Sequence, residues 1–170
     1  MKHDIIIPDK KTVSFCGIFC PSCTLYIGTK DEPERLLFLS GRMGKPVEEL
    51  KCAGCRSDKV SYYCRDCVLK KCAEESGYES CAECPDYPCS RLEEFQKEMP
   101  HRADLWKSLE ILKNEGHEKW TEKLAYDFTC QKCGVINSAY DIKCRNCSSE
   151  PSSGFTERHR VEIKAHLNRK

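Results

Sequence analysis

The residues of this sequence best suited to chemistry are its cysteines, which make up fifteen of the 170 residues. Twelve of them stand in C-x2-C pairs. Thiolates so spaced converge on a common centre, an arrangement typical of zinc and iron–sulfur sites. We therefore interpret every cysteine as a metal ligand: Cys16, Cys20, Cys23, Cys52, Cys55, Cys64, Cys67, Cys72, Cys81, Cys84, Cys89, Cys130, Cys133, Cys144 and Cys147.

The first three cysteines follow the spacing C-x3-C-x2-C, by which radical S-adenosylmethionine enzymes hold a four-iron cluster. A barrel of that kind needs more than about 200 residues, and the chain shows no alternation of strands and helices. The radical-enzyme interpretation is therefore excluded. We expect the triad of Cys16, Cys20 and Cys23 to tie the N-terminus to cysteines further along the chain.

The eleven N-terminal cysteines leave their ligand pairing open. After the pair Cys52 and Cys55, two units of the form C-x2-C-x4-C begin at Cys64 and Cys81. Two four-thiol zinc sites would leave three thiols over, and three sites would need a twelfth ligand such as His101 or Asp86. Alternatively, the triad and a distant thiol such as Cys89 would hold an iron–sulfur cluster. The knuckle pairs favour zinc, and we expect three or more zinc ions per chain.

The C-terminal cysteines form a simpler pattern, Cys130-x2-Cys133, ten residues, then Cys144-x2-Cys147. Two knuckles joined by such a loop place four thiolates tetrahedrally around one zinc ion. Gly134 suits the turn at the second cysteine, where a side chain would crowd the sulfur. Four thiolates leave no open coordination position, so the predicted zinc ribbon is structural.

The spacing of this module is similar to that of Ran-binding-protein zinc fingers, some of which bind single-stranded RNA or ubiquitin. Asn137 stands at the corresponding position, whereas Phe128 replaces the usual tryptophan and Ser138 replaces the aromatic that stacks on RNA. A plain zinc ribbon explains these residues equally well. Residues 128–170 carry eight Lys/Arg against four Asp/Glu, so RNA or DNA binding through this segment is an alternative function.

Composition bears on the compartment and the partners of the protein. The sequence has 28 Lys/Arg and 27 Asp/Glu, and therefore no overall field that would attract nucleic acid or a membrane. It shows no signal peptide and no membrane span. Thiolate sites of this kind belong to a reducing compartment, so we predict a cytoplasmic protein. Its partner is unknown, and a protein or nucleic acid bound through 128–170 is the expectation.

The spacing of apolar residues predicts helices. Asp31 and Glu34 form a capping-box pattern for a helix that would bury Leu36, Leu37, Leu39 and Met43. Residues 90–127 read as helices broken at Pro100 and Gly116, with Leu92, Phe95, Leu105, Leu109, Leu112, Trp120 and Leu124 at core spacings. The predicted fold class is a small, metal-stabilised, irregular and α-rich protein in which a cysteine-knuckle domain with packed helices precedes a zinc ribbon. The predicted segments are 1–127, 128–150, and a basic tail, 151–170, that we expect to be helical.

The ordered motifs CGIFCPSCTLYI, KCAGCRSDK and SCAECPDYPCSRLEEF resemble those of a prokaryotic cysteine-rich family of unknown function. Its members begin with C-G-[LI]-x-C-x-x-C, and several carry a zinc ribbon after the helical part. The resemblance spans residues 13 to 120. It implies a small cytoplasmic metal-binding protein of bacteria or archaea and supplies no catalytic residues.

Taken together, the sequence predicts a structural zinc-binding protein that acts through protein or nucleic-acid contacts. The alternative is an iron–sulfur redox or maturation protein that uses Cys16, Cys20 and Cys23. No glycine-rich phosphate loop and no paired catalytic carboxylates are present, so an enzyme is the less favoured class.

Overall fold

The computed structural model describes residues 6–169, which form a small helix-rich structure without strands. The predicted fold class is thereby confirmed. The helices of the described residues are α1 Thr24–Lys30, α2 Pro33–Met43, α3 Val47–Leu50, α4 Tyr62–Arg65, α5 Val68–Ser76, α6 Ser90–Glu98, α7 Leu105–Phe128, α8 Gly154–Arg158 and α9 Arg160–Leu167. Short 3₁₀ turns cover Lys10–Thr12, Cys20–Ser22, Cys81–Glu83 and Pro100–Arg102.

The longest of these helices, α7, bends at Gly116, whose φ of 81° and ψ of 172° are not helical. Glycine tolerates this conformation because it has no Cβ. The predicted break at Gly116 is therefore confirmed, and so is the one at Pro100, because α6 ends at Glu98. The bend lets the two halves of α7 present their buried faces, with Leu109 before it and Trp120 after it, to different parts of the chain.

The larger apolar core joins segments that are far apart in sequence. Its buried residues are Val13, Phe19, Trp120, Leu124, Phe128, Ile136, Ala139, Phe155 and Ile163. The ring of Phe128 lies between two others, with its centroid 5.9 Å from that of Phe19 and 4.7 Å from that of Phe155. The second half of α7, the C-terminal cysteine module and both terminal helices thus pack on the N-terminal cysteine segment.

A second core lies beneath the N-terminal cysteines. Cys16, Leu69, Ala82, Leu92, Leu105 and Leu109 are buried there. Ala82 belongs to the turn Cys81–Glu83 and is fully buried. Its small side chain lets this turn pack closely on the first half of α7. The core spacings predicted for the helical region are confirmed at Leu92, Leu105, Leu109, Trp120 and Leu124.

The prediction for α2 was wrong in two respects. The helix begins at Pro33 with Glu32 as its N-cap, and no side chain caps it, so Asp31 is not the cap. Proline is favoured at the first helical position because it needs no hydrogen-bond acceptor. Leu36 is buried, but Leu37 is 65% exposed and Met43 is also exposed. Only a narrow stripe of α2 packs on the protein, so α2 buries fewer of its apolar side chains than the sequence predicted.

The predicted segment boundaries at 127/128 and 150/151 stay predictions, and residues 1–5 and 170 of those segments lie outside the described residues. The tail after residue 151 contains α8 and α9. Ser153 caps α8, and its hydroxyl accepts a hydrogen bond from the Thr156 amide. None of the helices described between residues 6 and 169 combines the length and the apolar character needed to cross a membrane.

A buried hydroxyl links the cysteine segment to both halves of α7. Ser108 Oγ donates a hydrogen bond to the Gly17 carbonyl over 2.5 Å and accepts one from Trp120 Nε1 over 2.8 Å. Gly17 directly follows Cys16, and a Cβ at this position would lie 2.7 Å from the Leu109 side chain. The first cysteine loop therefore lies against α7 at a distance that only glycine permits.

We predict that the S108A substitution lowers the free energy of unfolding by about 3 kcal/mol, because it leaves the Trp120 N–H and the Gly17 carbonyl buried without partners. Urea denaturation of the metal-loaded protein measures the change. The matched control is S76A, at an exposed position near the end of α5. A change as small for S108A as for S76A would show that the hydroxyl does not hold these segments together.

Candidate metal centre

The four C-terminal cysteines lie together. Their sulfurs are all within 4.8 Å of one another, with Cys130 and Cys147 at 3.6 Å and Cys133 and Cys144 at 3.5 Å. A Zn–S bond of about 2.3 Å implies about 3.8 Å between the sulfurs of a tetrahedral site. The four thiols are thus close enough to bind one metal ion. Three of them are buried, and Cys147 is exposed.

The backbone around these cysteines sets their positions. The Cys130 amide donates to the Val135 carbonyl over 2.9 Å, and the Gly134 amide donates to the Cys130 carbonyl over 2.8 Å. Gly134 has a φ of 71°, in the left-handed region that favours glycine, which agrees with the sequence interpretation. The second knuckle repeats this arrangement, because the Ser148 amide donates to the Cys144 carbonyl and Ser148 has a φ of 58°.

Hydrogen bonds to sulfur favour the thiolate form at two of the four positions. The Ser149 hydroxyl lies 3.2 Å from the sulfurs of Cys130 and Cys147. Together with the Ser149 amide, it lowers the pKa of Cys147 to about 6. Burial raises the pKa of Cys130, but the Ser149 hydroxyl and nearby backbone amides bring it below its usual value. Since metal-bound cysteine is a thiolate, these donors prepare the site for a cation.

The loop between the two knuckles is held by Asn137, which is fully buried. Its side-chain amide donates to the carbonyls of Val135 and Ser152, and its oxygen accepts a hydrogen bond from the Arg145 amide. The same amide nitrogen lies 3.7 Å from the Cys144 sulfur. Asn137 therefore fixes the loop, the start of the second knuckle and the beginning of the tail relative to one another.

The cysteine module is fastened to α1 and α2 by polar contacts. Arg145 forms ion pairs with Asp31 and Glu32, and Arg35 forms one with Asp141 over 2.9 Å. These side chains are mostly shielded from solvent. In addition, the hydroxyls of Thr24 and Ser138 are 2.7 Å apart. Ser138, whose position would carry an aromatic in an RNA-binding finger, is buried in this interface.

The two residues considered as a twelfth ligand have different surroundings. The His101 ring is hydrogen-bonded at Nδ1 to the Tyr140 hydroxyl over 2.5 Å. Burial, reinforced by the neighbouring Arg102 charge, lowers the pKa of His101 to about 3, so the ring is neutral. Asp86 is exposed. His101 therefore links the helical region to the C-terminal module.

The eleven N-terminal cysteines are gathered more loosely. Within residues 6–169, the C-terminal four are the one set of three or more cysteine, histidine or acidic side chains whose ligand atoms all lie within 4.8 Å. The Cys20 thiol nevertheless lies within electrostatic range of Cys23, Cys52 and Cys55, and burial raises its pKa well above its usual value. Their assignment as metal ligands stays a prediction.

Three of the N-terminal knuckles share one local turn. In each C-x2-C pair the amide of the second cysteine donates to the carbonyl of the first: Cys23 to Cys20 over 2.9 Å, Cys67 to Cys64 over 3.4 Å and Cys84 to Cys81 over 3.3 Å. Cys23 and Cys67 are also the N-caps of α1 and α5, and Cys89 is the N-cap of α6. Each of these three cysteines therefore stands where a loop passes into a helix.

Sequence reasoning missed the charged residues that support these loops. Arg56 lies 3.8 Å over the Phe15 ring and donates to the Val13 carbonyl, which holds the Cys52–Cys55 loop on the first segment. Arg102 is fully buried, 3.6 Å over the Phe95 ring, and is paired with Glu98. Arg56 gave no signal, because its partners lie about forty residues earlier in the chain, whereas Glu98, four residues before Arg102, was a local signal for an ion pair.

Comparison with known proteins adds a family to this description. The model of a family described as "Protein of unknown function (DUF3795)" matches residues 12–94. No curated protein and no solved structure matches the chain. The matched range contains all eleven N-terminal cysteines and ends before α7 and the C-terminal four. Residues 12–94 are thus similar to the DUF3795 family, whose function is unknown, and they are followed by a four-cysteine group that is close enough to bind a metal ion.

Proposed function

We propose that this chain is a structural zinc-binding protein that acts through contacts with another protein. The observation that carries the proposal is the C-terminal group, whose four sulfurs lie within 4.8 Å of one another and are stabilised by donors from the backbone, Ser149 and Asn137. Four thiolates complete a tetrahedron, so the ion would have no open position for a substrate. An ion bound there would stabilise the fold without taking part in a reaction.

The proposal extends to the eleven cysteines of residues 12–94 as ligands of further ions. Cys16 is buried and Cys20 is half-buried, both near other thiols, and burial raises the pKa of Cys16 to about 12. A group of buried thiols without a cation would be neutral, whereas a bound zinc ion would stabilise the thiolates. The burial of these thiols therefore supports further zinc ions. Metal analysis distinguishes them from the iron–sulfur alternative.

The distribution of charge favours a protein partner over a nucleic acid. Two of the eight basic residues in 128–170 pair with acidic residues of the N-terminal part: Arg145 with Asp31 and Glu32, and Arg158 with Asp104 and Asp127. Arg160 pairs with Glu150 on the module itself. Arginines already paired with carboxylates are poor contacts for phosphate, because binding a phosphate would require breaking the pair.

Metal analysis of the full-length protein, purified without oxygen, tests the proposal. We expect zinc at more than one ion per chain and a colourless protein. The C133S substitution should remove about one zinc ion per chain, because three thiolates no longer complete the tetrahedron. The matched control is S149A, which removes the hydroxyl beside the Cys130 and Cys147 sulfurs but no ligand, and should keep the ion. Iron with acid-labile sulfide and absorbance near 400 nm would contradict a zinc protein and favour the iron–sulfur alternative.

A second prediction concerns the contacts between the module and α1–α2. We expect R145A to lower the free energy of unfolding by about 2 kcal/mol, because Asp31 and Glu32 lose a shielded partner. Urea denaturation measures this change, and K143A, an exposed lysine two residues earlier, is the control expected to change little. Equal effects of the two substitutions would show that the ion pairs of Arg145 do not stabilise the fold. Saturable, salt-dependent binding of the full-length protein to single-stranded RNA would contradict a protein partner.

A further inference from the structure

The bend in α7 brings the two ends of this helix close together. One guanidinium nitrogen of Arg158, Nη2, lies 2.7 Å from a carboxylate oxygen of Asp104, at the start of the helix, and 2.6 Å from one of Asp127, at its end. Nearer the bend, the Trp120 N–H donates to the Ser108 hydroxyl. The two halves of α7 therefore face each other as a helical hairpin.

A cavity of about 580 Å³ lies where this hairpin meets the first cysteine loop and the tail. The exposed residues Lys107 and Tyr126 line it, so the cavity is open to solvent on that side. Cavities of about 300 to 1,000 Å³ with apolar walls are typical of small-molecule sites. The apolar wall includes Ile18, Phe19, Ile111, Leu124, Phe128 and Phe155. These walls require a ligand with an apolar body.

The charged groups of the cavity indicate the charge of that ligand. Among the described residues five charged side chains line the cavity, and four of them are paired within the molecule. Asp104 and Asp127 share Arg158. Two further ion pairs, each at 2.7 Å, join Lys123 to Glu115 and Glu122 to Lys119. Within residues 6–169 the ammonium group of Lys107 has no such partner. The cavity thus offers a ligand an unpaired cation and no unpaired carboxylate.

The cavity also contains a polar group without charge, the ring of His101. Its Nδ1 is hydrogen-bonded to the Tyr140 hydroxyl, so Nε2 is the ring nitrogen left for a ligand. Burial keeps this ring neutral, with a pKa of about 3. When Tyr140 donates to Nδ1, Nε2 carries the proton and can donate to an oxygen atom. Since His101 is neutral, a preference for anions in this cavity depends on Lys107.

We propose that this cavity binds a small amphipathic carboxylate, whose apolar chain or ring lies against Phe19, Ile111 and Phe128 and whose carboxylate pairs with Lys107. The lining contains no cysteine among the described residues. The binding site is therefore separate from the metal ligands of the proposed function, and the protein would take up this ligand with its metal in place.

Calorimetric titration of the full-length, zinc-loaded protein with decanoate tests the proposal. We expect saturable binding of about one decanoate per chain, and the neutral analogue 1-decanol should bind more weakly. K107A should weaken decanoate binding about tenfold, because it removes the partner of the carboxylate, and should leave 1-decanol binding unchanged. The matched control is K113A, an exposed lysine of α7 that does not line the cavity and should bind decanoate normally.

A substitution that fills the cavity tests its location. Ile111 is half-buried in the wall, and I111W should abolish binding of both compounds while zinc per chain stays the same. If I111W does not fold, the backbone amide shifts of the unmodified protein give the same information, because decanoate should move those of 17–19, 105–111 and 122–128.

Three results would overturn the proposal: no saturable binding of decanoate, equal affinity of K107A and the unmodified protein, or amide shifts confined to other residues. Each of them leaves the zinc content unchanged. The proposed function would therefore stand if this proposal failed, and a protein without zinc would contradict the proposed function alone.

Discussion

The packing of Phe128 between Phe19 and Phe155 is the contact on which the rest of the structure depends. Phe128 ends α7 and stands two residues before Cys130, and Phe19 directly precedes Cys20. Its ring therefore brings together the first cysteine loop, the long helix, the four-cysteine group and the start of the tail. A chain with few apolar residues outside its helices needs such a shared core, because each segment alone buries too little surface to fold.

Charge reinforces the same arrangement. Residues 128–170 carry a net charge of +4 and residues 1–127 one of −3. In the structure, arginines of the basic part form ion pairs with carboxylates of the acidic part: Arg145 with Asp31 and Glu32, and Arg158 with Asp104 and Asp127. Partly shielded ion pairs fix orientation more than they add stability. The apolar stack brings the segments together, and the ion pairs determine how the module is turned on α1 and α2.

The features that could be predicted from the sequence are those determined by residues close together along the chain. The helix breaks at Pro100 and Gly116, the core spacings around Leu109 and Trp120, and the convergence of the C-terminal thiols all follow from local spacing. Three contacts could not be predicted, because their partners lie on other elements: Arg145 with Asp31 and Glu32, Arg102 with the Tyr63 hydroxyl, and Ser108 with the Gly17 carbonyl. For the same reason the prediction that Leu37 is buried was wrong. Its exposure depends on which segments pack against α2, and local spacing does not show this.

The two cysteine regions differ because their sulfurs are positioned by different means. The C-terminal thiols sit on two knuckles with one loop between them, and hydrogen bonds of Asn137 and the backbone hold that loop. The N-terminal thiols come from α1, α4, α5, α6 and the loops between them, so their convergence depends on how those elements pack. Structural zinc contributes about 10 kcal/mol or more to the folding of small domains. At the ions proposed for the N-terminal thiols, that free energy would act on tertiary structure, so their removal would loosen the packing of these helices. At the C-terminal site, removal of the proposed ion would act chiefly on one loop.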